Sequence, residues 1–130
     1  MDLAVTNETS TFVSLLRNSG YATFIVSSIT VAVGLRAICS GDFDNDGDVD
    51  IAVAGGISPG SVYILDNNGS AVFTPSAAIV VGNTPYDIQT GDFDGDGDLD
   101  LASVNGGSAN VSILRNTAGA FTVTSSTPAG

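Results

Sequence analysis

The chain has no tryptophan, no histidine and no lysine, and a single cysteine, Cys39, among 130 residues. Without His or Lys, general acid/base work would fall to clustered aspartates or to the scattered Asp66, Asp87 and Glu8, so catalysis is poorly supplied. One Cys excludes a disulfide framework within the chain and, with His absent, makes a zinc site implausible. Cys39 reads as a semi-buried, inert thiol. The only basic residues are Arg17, Arg36 and Arg115, against fourteen acids and a formal net charge of -11. No basic patch exists to neutralise phosphates, which excludes nucleic acid and anionic membranes as partners. Nor does any apolar run reach the roughly 20 residues of a spanning helix, and Met1-Asp2 is not followed by a basic start and apolar core. The chain is therefore expected to be a mature segment, a fragment or an expressed piece, without membrane insertion.

The acidity is local. Gly41-Asp42-Phe43-Asp44-Asn45-Asp46-Gly47-Asp48-Val49-Asp50 recurs as Gly91-Asp92-Phe93-Asp94-Gly95-Asp96-Gly97-Asp98-Leu99-Asp100, and these two stretches hold ten of the fourteen acids. The remaining four, Asp2, Glu8, Asp66 and Asp87, nearly balance the three arginines. Carboxylates on alternate residues of a tight loop turn toward one centre, and Gly47 or Gly97 at the sixth position permits the sharp turn. Side chains of Asp42, Asp44 and Asp46, the carbonyl of Asp48, and Asp50 are the expected ligands of one ion. Asp92, Asp94, Asp96, the Asp98 carbonyl and Asp100 are those of a second. All-oxygen donors on a pliable loop suit Ca2+ better than Mg2+, which demands a stricter octahedron. An EF-hand would need Glu at the twelfth position and flanking helices; Val53 and Ser103 stand there, and strand-like runs follow. A site that recurs once per repeat points to a structural ion, part of the folding logic of the repeat.

A longer repeat surrounds the loops. Asp2-Leu3-Ala4-Val5, Asp50-Ile51-Ala52-Val53 and Asp100-Leu101-Ala102-Ser103 begin equivalent stretches spaced by 48 and then 50 residues. Each is followed by a second set, Val13 to Asn18, Val62 to Asn67 and Val111 to Asn116, and by a third near Phe24, Phe73 and Phe121. A fourth, Arg36 to Ser40 and Tyr86 to Thr90, leads into each complete loop. Turn signals such as Gly55-Gly56, Asn68-Gly69 and Gly106-Gly107 separate them. A period of about 40 to 50 residues with four strands per unit is that of propeller blades, and strands apolar on both faces, as in Val62-Tyr63-Ile64-Leu65, suit blades stacked on blades. The expected fold is all-β: four-stranded antiparallel blades, with a three-stranded partial blade at 1–35 and complete blades at 36–83 (loop 42–50) and 84–130 (loop 92–100).

This loop followed by an apolar strand resembles the FG-GAP/VCBS repeat, the blade of integrin alpha-type propellers. The resemblance implies that the strand before each loop is the innermost of its blade and that the matching aspartates bind calcium. It also implies an extracellular or cell-surface module of adhesion or recognition, in some members a lectin or a companion of polysaccharide-degrading enzymes. Asp2 matches the last aspartate of a loop whose earlier part is missing, so the chain opens in the second strand of its first blade. Fewer than three blades leave strand edges and blade faces bare. The expected partners are accordingly copies of the same chain, in a ring or filament, or the rest of a longer propeller. The expected function is a non-catalytic, calcium-stabilised module of recognition and self-association, with the subunit of an extracellular filament or sheath as one rival. The other rival is a carbohydrate-binding module using Tyr21, Tyr63 or Tyr86. Asn7, Asn68 and Asn110 stand in N-glycosylation patterns.

Overall fold

The computed structural model describes residues 2–129, so the outermost residues of the expected blades 1–35 and 84–130, Met1 and Gly130, lie outside it. The described chain is all-β, with twelve strands in three separate antiparallel sheets and no helix. Among the described residues, accordingly, no helix is long and apolar enough to cross a membrane.

The first sheet contains β1 (Leu3–Thr6), β2 (Phe12–Gly20) and β3 (Thr23–Thr30), in chain order. The second contains β4 (Leu35–Gly41), β5 (Asp50–Gly55) and β6 (Gly60–Asn67), followed at its edge by β7 (Phe73–Pro75) and β8 (Ile79–Val81), which both pair with β6. The third runs β9 (Pro85–Gly91), β10 (Asp100–Asn105), β11 (Asn110–Thr117) and β12 (Ala120–Pro128). Equivalent residues pair in each: Leu3 with Leu16, Ile51 with Leu65, Leu101 with Leu114. Three stretches with the same alternation of apolar residues thus adopt the same register, as expected where a one-residue slip would turn the apolar set away from its core.

The second sheet departs from four strands because its outer strand is broken after Pro75. Proline has no N–H to continue the ladder, and at the exposed Ser76 the hydroxyl folds back onto the neighbouring strand. The Ser76 Oγ accepts from Ile64 N (3.0 Å), while Ser76 N donates to Ile64 O (2.7 Å). The pairing then resumes one short loop later as β8.

Two apolar layers lie between the sheets. Val13 of the first sheet packs with Leu35, Ile51, Val53 and Leu65 of the second. On the opposite face of the second sheet, Ala37, Ala52, Ala54, Val62 and Ile64 pack against Ile88, Leu101 and Leu114 of the third. Every residue of β5 is buried, with Ile51 and Val53 facing one layer and Ala52 and Ala54 the other. The sheets therefore stack in chain order, with β4 beside both β1 and β9.

Candidate metal centres

Each aspartate-rich loop is the hairpin connection between the first two strands of its sheet: 42–49 joins β4 to β5, and 92–99 joins β9 to β10. Their backbones are shaped by similar hydrogen bonds, which differ in that the first aspartate takes the fifth-position amide in loop 42–50 and the fourth-position amide in loop 92–100. At the first position, Asp42 Oδ1 accepts from Asp46 N (3.1 Å) and Oδ2 from Gly47 N (3.0 Å); Asp92 accepts likewise from Gly95 N (2.7 Å) and Gly97 N (3.1 Å). Asp44 and Asp94 accept from the amide two residues on, as do Asp46 and Asp96. This succession of side chain to backbone bonds curls the chain so that alternate carboxylates converge. The sixth position takes φ of +93° at Gly47 and +98° at Gly97, and the fourth also turns left-handed, +64° at Asn45 and +81° at Gly95. Asn and Gly are the residues that adopt that region most readily.

The ninth position does something else. Asp50 and Asp100 are 2% and 1% exposed, and each spends both oxygens on backbone amides. Asp50 takes Phe43 N (3.0 Å) and Asn67 N (2.8 Å); Asp100 takes Phe93 N (3.0 Å) and Asn116 N (2.8 Å). Each thereby ties the start of its loop to the end of the third strand of its sheet. Asp2 accepts from Asn18 N (2.8 Å) in the first sheet, which bears out its alignment with Asp50 and Asp100. Burial lifts the Asp50 carboxyl above its ordinary range; the two amides pull the other way, and the nearby charges of Asp44 and Asp66 add to the rise.

The aspartates expected as ligands do not converge identically. Asp42, Asp44 and Asp46 each bring one oxygen within 4.8 Å of the others in the first loop, whereas in the second the trio is Asp92, Asp94 and Asp100. The side chains of Asp48 and Asp98 face away, toward the next hairpin turn of their own sheets. Asp48 lies against Gly69, and Asp98 accepts from Ala118 N (2.9 Å) and Asn45 Nδ2 (2.7 Å). Only their carbonyls remain for an ion, the role assigned to the seventh position.

Two features at this end of the molecule were not anticipated. The loops are stitched together: besides the Asn45 to Asp98 bond, the buried Asn116 donates from Nδ2 to Phe43 O in the first loop (2.6 Å) and to Leu99 O in the second (3.1 Å). The second feature is where the arginines sit, which the charge count left open. Arg36 does pair with Glu8 (2.6 Å), but Arg115 lies on the second loop, in ion pairs with Asp94 and with Asp96 (3.1 Å). The amide of Asp98 and this guanidinium hold the Asp96 carboxyl below its ordinary range. Alignment of Arg17, Asp66 and Arg115 at one repeat position was the available signal for this difference between the repeats.

The residues fit a hard divalent cation. All donors are oxygen, they gather on a loop free to adjust, and the second cluster already accepts a cationic group of the chain itself.

Residues 42–103 match the family model for the FG-GAP-like repeat. This segment is similar to the FG-GAP-like repeat. The FG-GAP-like segment contains both aspartate loops, all of the second sheet from β5 onward, β9, and β10 as far as Ser103. No curated protein and no solved structure matches the chain.

Proposed function

We propose that the chain is a non-catalytic, calcium-stabilised module of propeller blades, extracellular or at a cell surface, that works through recognition and association with further blades. The observation that carries this is the contrast between Phe43 and Phe93, which occupy the same position of the two FG-GAP-like loops. Phe43 is 1% exposed and meets Phe121 of the next sheet edge to face, ring centroids 5.6 Å apart; Phe93 is 51% exposed. Each sheet is built to be covered by the one after it, and the third offers its free face for another. Leu3 and Val5 on the first sheet and Val104 on the third are exposed accordingly. The neighbour is a second copy of the chain or the rest of a longer propeller, and a chain of such contacts that fails to close grows into a filament or sheath.

Calcium fits the physics of this assembly. Five carboxylates in nine residues repel, each close pair by about 1 kcal/mol in water, and an ion bound only by the folded state adds about 2.7 kcal/mol per site at a hundredfold excess over Kd. An ion held for stability requires a compartment where calcium is dependable, which supports the extracellular location. For the carbohydrate-binding reading, Tyr63 packs against the core and Tyr86 lies under the Arg36 guanidinium, 5.3 Å from the ring centroid, while Tyr21 is fully exposed. The test is a thermal melt with calcium and with excess chelator, followed by light scattering. A midpoint several degrees higher in calcium is expected, and a melt that chelator leaves unmoved refutes the role of the ion. A monodisperse monomer in calcium refutes self-association.

A further inference from the structure

We infer that the two loops are unequal cation sites, because Arg115 is a resident counter-ion that a divalent ion must displace from the second loop and not from the first. The inference deepens the reading above, since it presupposes that the loops take such an ion. The nine-residue patterns differ only at the fourth and eighth positions, Asn45 or Gly95 and Val49 or Leu99, neither of which changes the charge. The difference comes from the third strand of each sheet. Leu65 and Leu114 pair with equivalent residues of β5 and β10, so the residues that follow them, Asp66 and Arg115, occupy one position in two sheets.

At that position the second loop receives a guanidinium in contact with Asp94 and Asp96. The first receives a sixth carboxylate, for Asp66 lines the same cavity as Asp44 and Asp50. Among the described residues no arginine pairs with an aspartate of loop 42–50. The two loops also differ in which carboxylates gather. Asp46 stands with Asp42 and Asp44, whereas its counterpart Asp96, held by Arg115, is outside the trio of Asp92, Asp94 and Asp100.

A divalent ion entering loop 92–100 must recruit Asp96 and share Asp94, so it breaks two ion pairs on entry. Loop 42–50 pays no such cost and gains the field of Asp66. The first site therefore fills at lower calcium than the second, and Arg115 sets the interval between them.

The Gly47 and Gly97 amides, which donate to Asp42 and Asp92 respectively, give each loop its own reporter. Calcium alone is titrated into the chelator-treated, isotope-labelled full chain while both amide resonances are followed by NMR. Gly47 is expected to reach its midpoint first. In Arg115→Gln the Gly97 midpoint is expected to fall by roughly threefold to tenfold, the scale of a lost exposed ion pair, with Gly47 unmoved. Asp66→Arg, which places the cation beside the first loop instead, is expected to raise the Gly47 midpoint. Equal midpoints in the unmodified chain, or a Gly97 midpoint that R115Q leaves in place or raises, overturn the inference. If neither amide responds to calcium, the cation reading falls as well, which separates the two failures.

Discussion

At the residue scale, the aspartates of each loop differ in how much of the fold they hold: the ninth is buried and ties the loop to the third strand, whereas the third accepts a backbone amide only from within its own loop. Asp100 is buried and gives both oxygens to backbone amides, so its loss leaves the buried Asn116 N and the half-buried Phe93 N without their partners. Asp44 has one backbone bond within its own loop and otherwise contributes negative charge to a crowded cluster. Asp100→Leu is therefore expected to cost about 2 to 4 kcal/mol even in chelator, as two charge-assisted bonds are removed and their donors stranded. Asp44→Asn is expected to be neutral or mildly stabilising in chelator, where it relieves repulsion, and destabilising only in calcium. Urea melts of both variants with and without calcium check this. Cys39 makes a separate prediction. Burial, with some help from the charge of Asp87, pushes its thiol up to about 12, whereas an unfolded thiol titrates near about 8.5. Between those values the folded chain keeps a proton that the unfolded chain releases, so stability is full below about pH 8.5 and declines as pH rises toward the folded value. Melts from pH 7 to pH 10 are expected to show that decline, and Cys39→Ala is expected to flatten it.

At the scale of elements, what was legible in the sequence is what is encoded locally. The loops declare themselves because ligand spacing and the glycine turn lie within nine residues. The strand repeats declare themselves because Leu3, Ile51 and Leu101 recur in step with Leu16, Leu65 and Leu114 and pair as that phasing requires. The break between β7 and β8 was only half legible: Pro75 marks where the ladder stops, but the return of the Ser76 hydroxyl onto Ile64, after which pairing resumes, is a contact between strands that the local sequence does not specify. The Arg115 pairs were hidden for a similar reason: a long side chain reaches from one strand to the loop that enters its sheet, and a charge count assigns it no address. The close stacking of elements is legible only afterwards, at Gly55, where a Cβ would collide with the backbone of Gly34 and Leu35 at the start of β4. Gly55→Ala is expected to push β4 and β5 apart at that end and to lower stability by about 1 to 3 kcal/mol, read as a reduced denaturation midpoint with an unchanged m-value.

At the scale of the whole molecule, the same residue type at one repeat position has two fates, and the difference defines what the chain lacks by itself. Phe43 fills the space between the second and third sheets and meets Phe121, and Asn116 of the third sheet reaches across to its carbonyl. Its replacement by Ala opens a cavity in the shared layer and is expected to cost about 3 to 5 kcal/mol. Phe93 stands at the same turn with no sheet beyond it, so Phe93→Ser removes little that the isolated chain buries and is expected to shift its stability by no more than about 0.5 kcal/mol. If a further sheet covers the third as the third covers the second, that same substitution leaves a hydroxyl in an apolar contact. The mass measured by light scattering in calcium is then expected to fall toward that of the single chain. The pair of variants separates stability from assembly, because Phe43→Ala strikes the fold whether or not copies associate. Phe93→Ser strikes only the association, and an unchanged assembly in that variant would place the contact between copies on some other face.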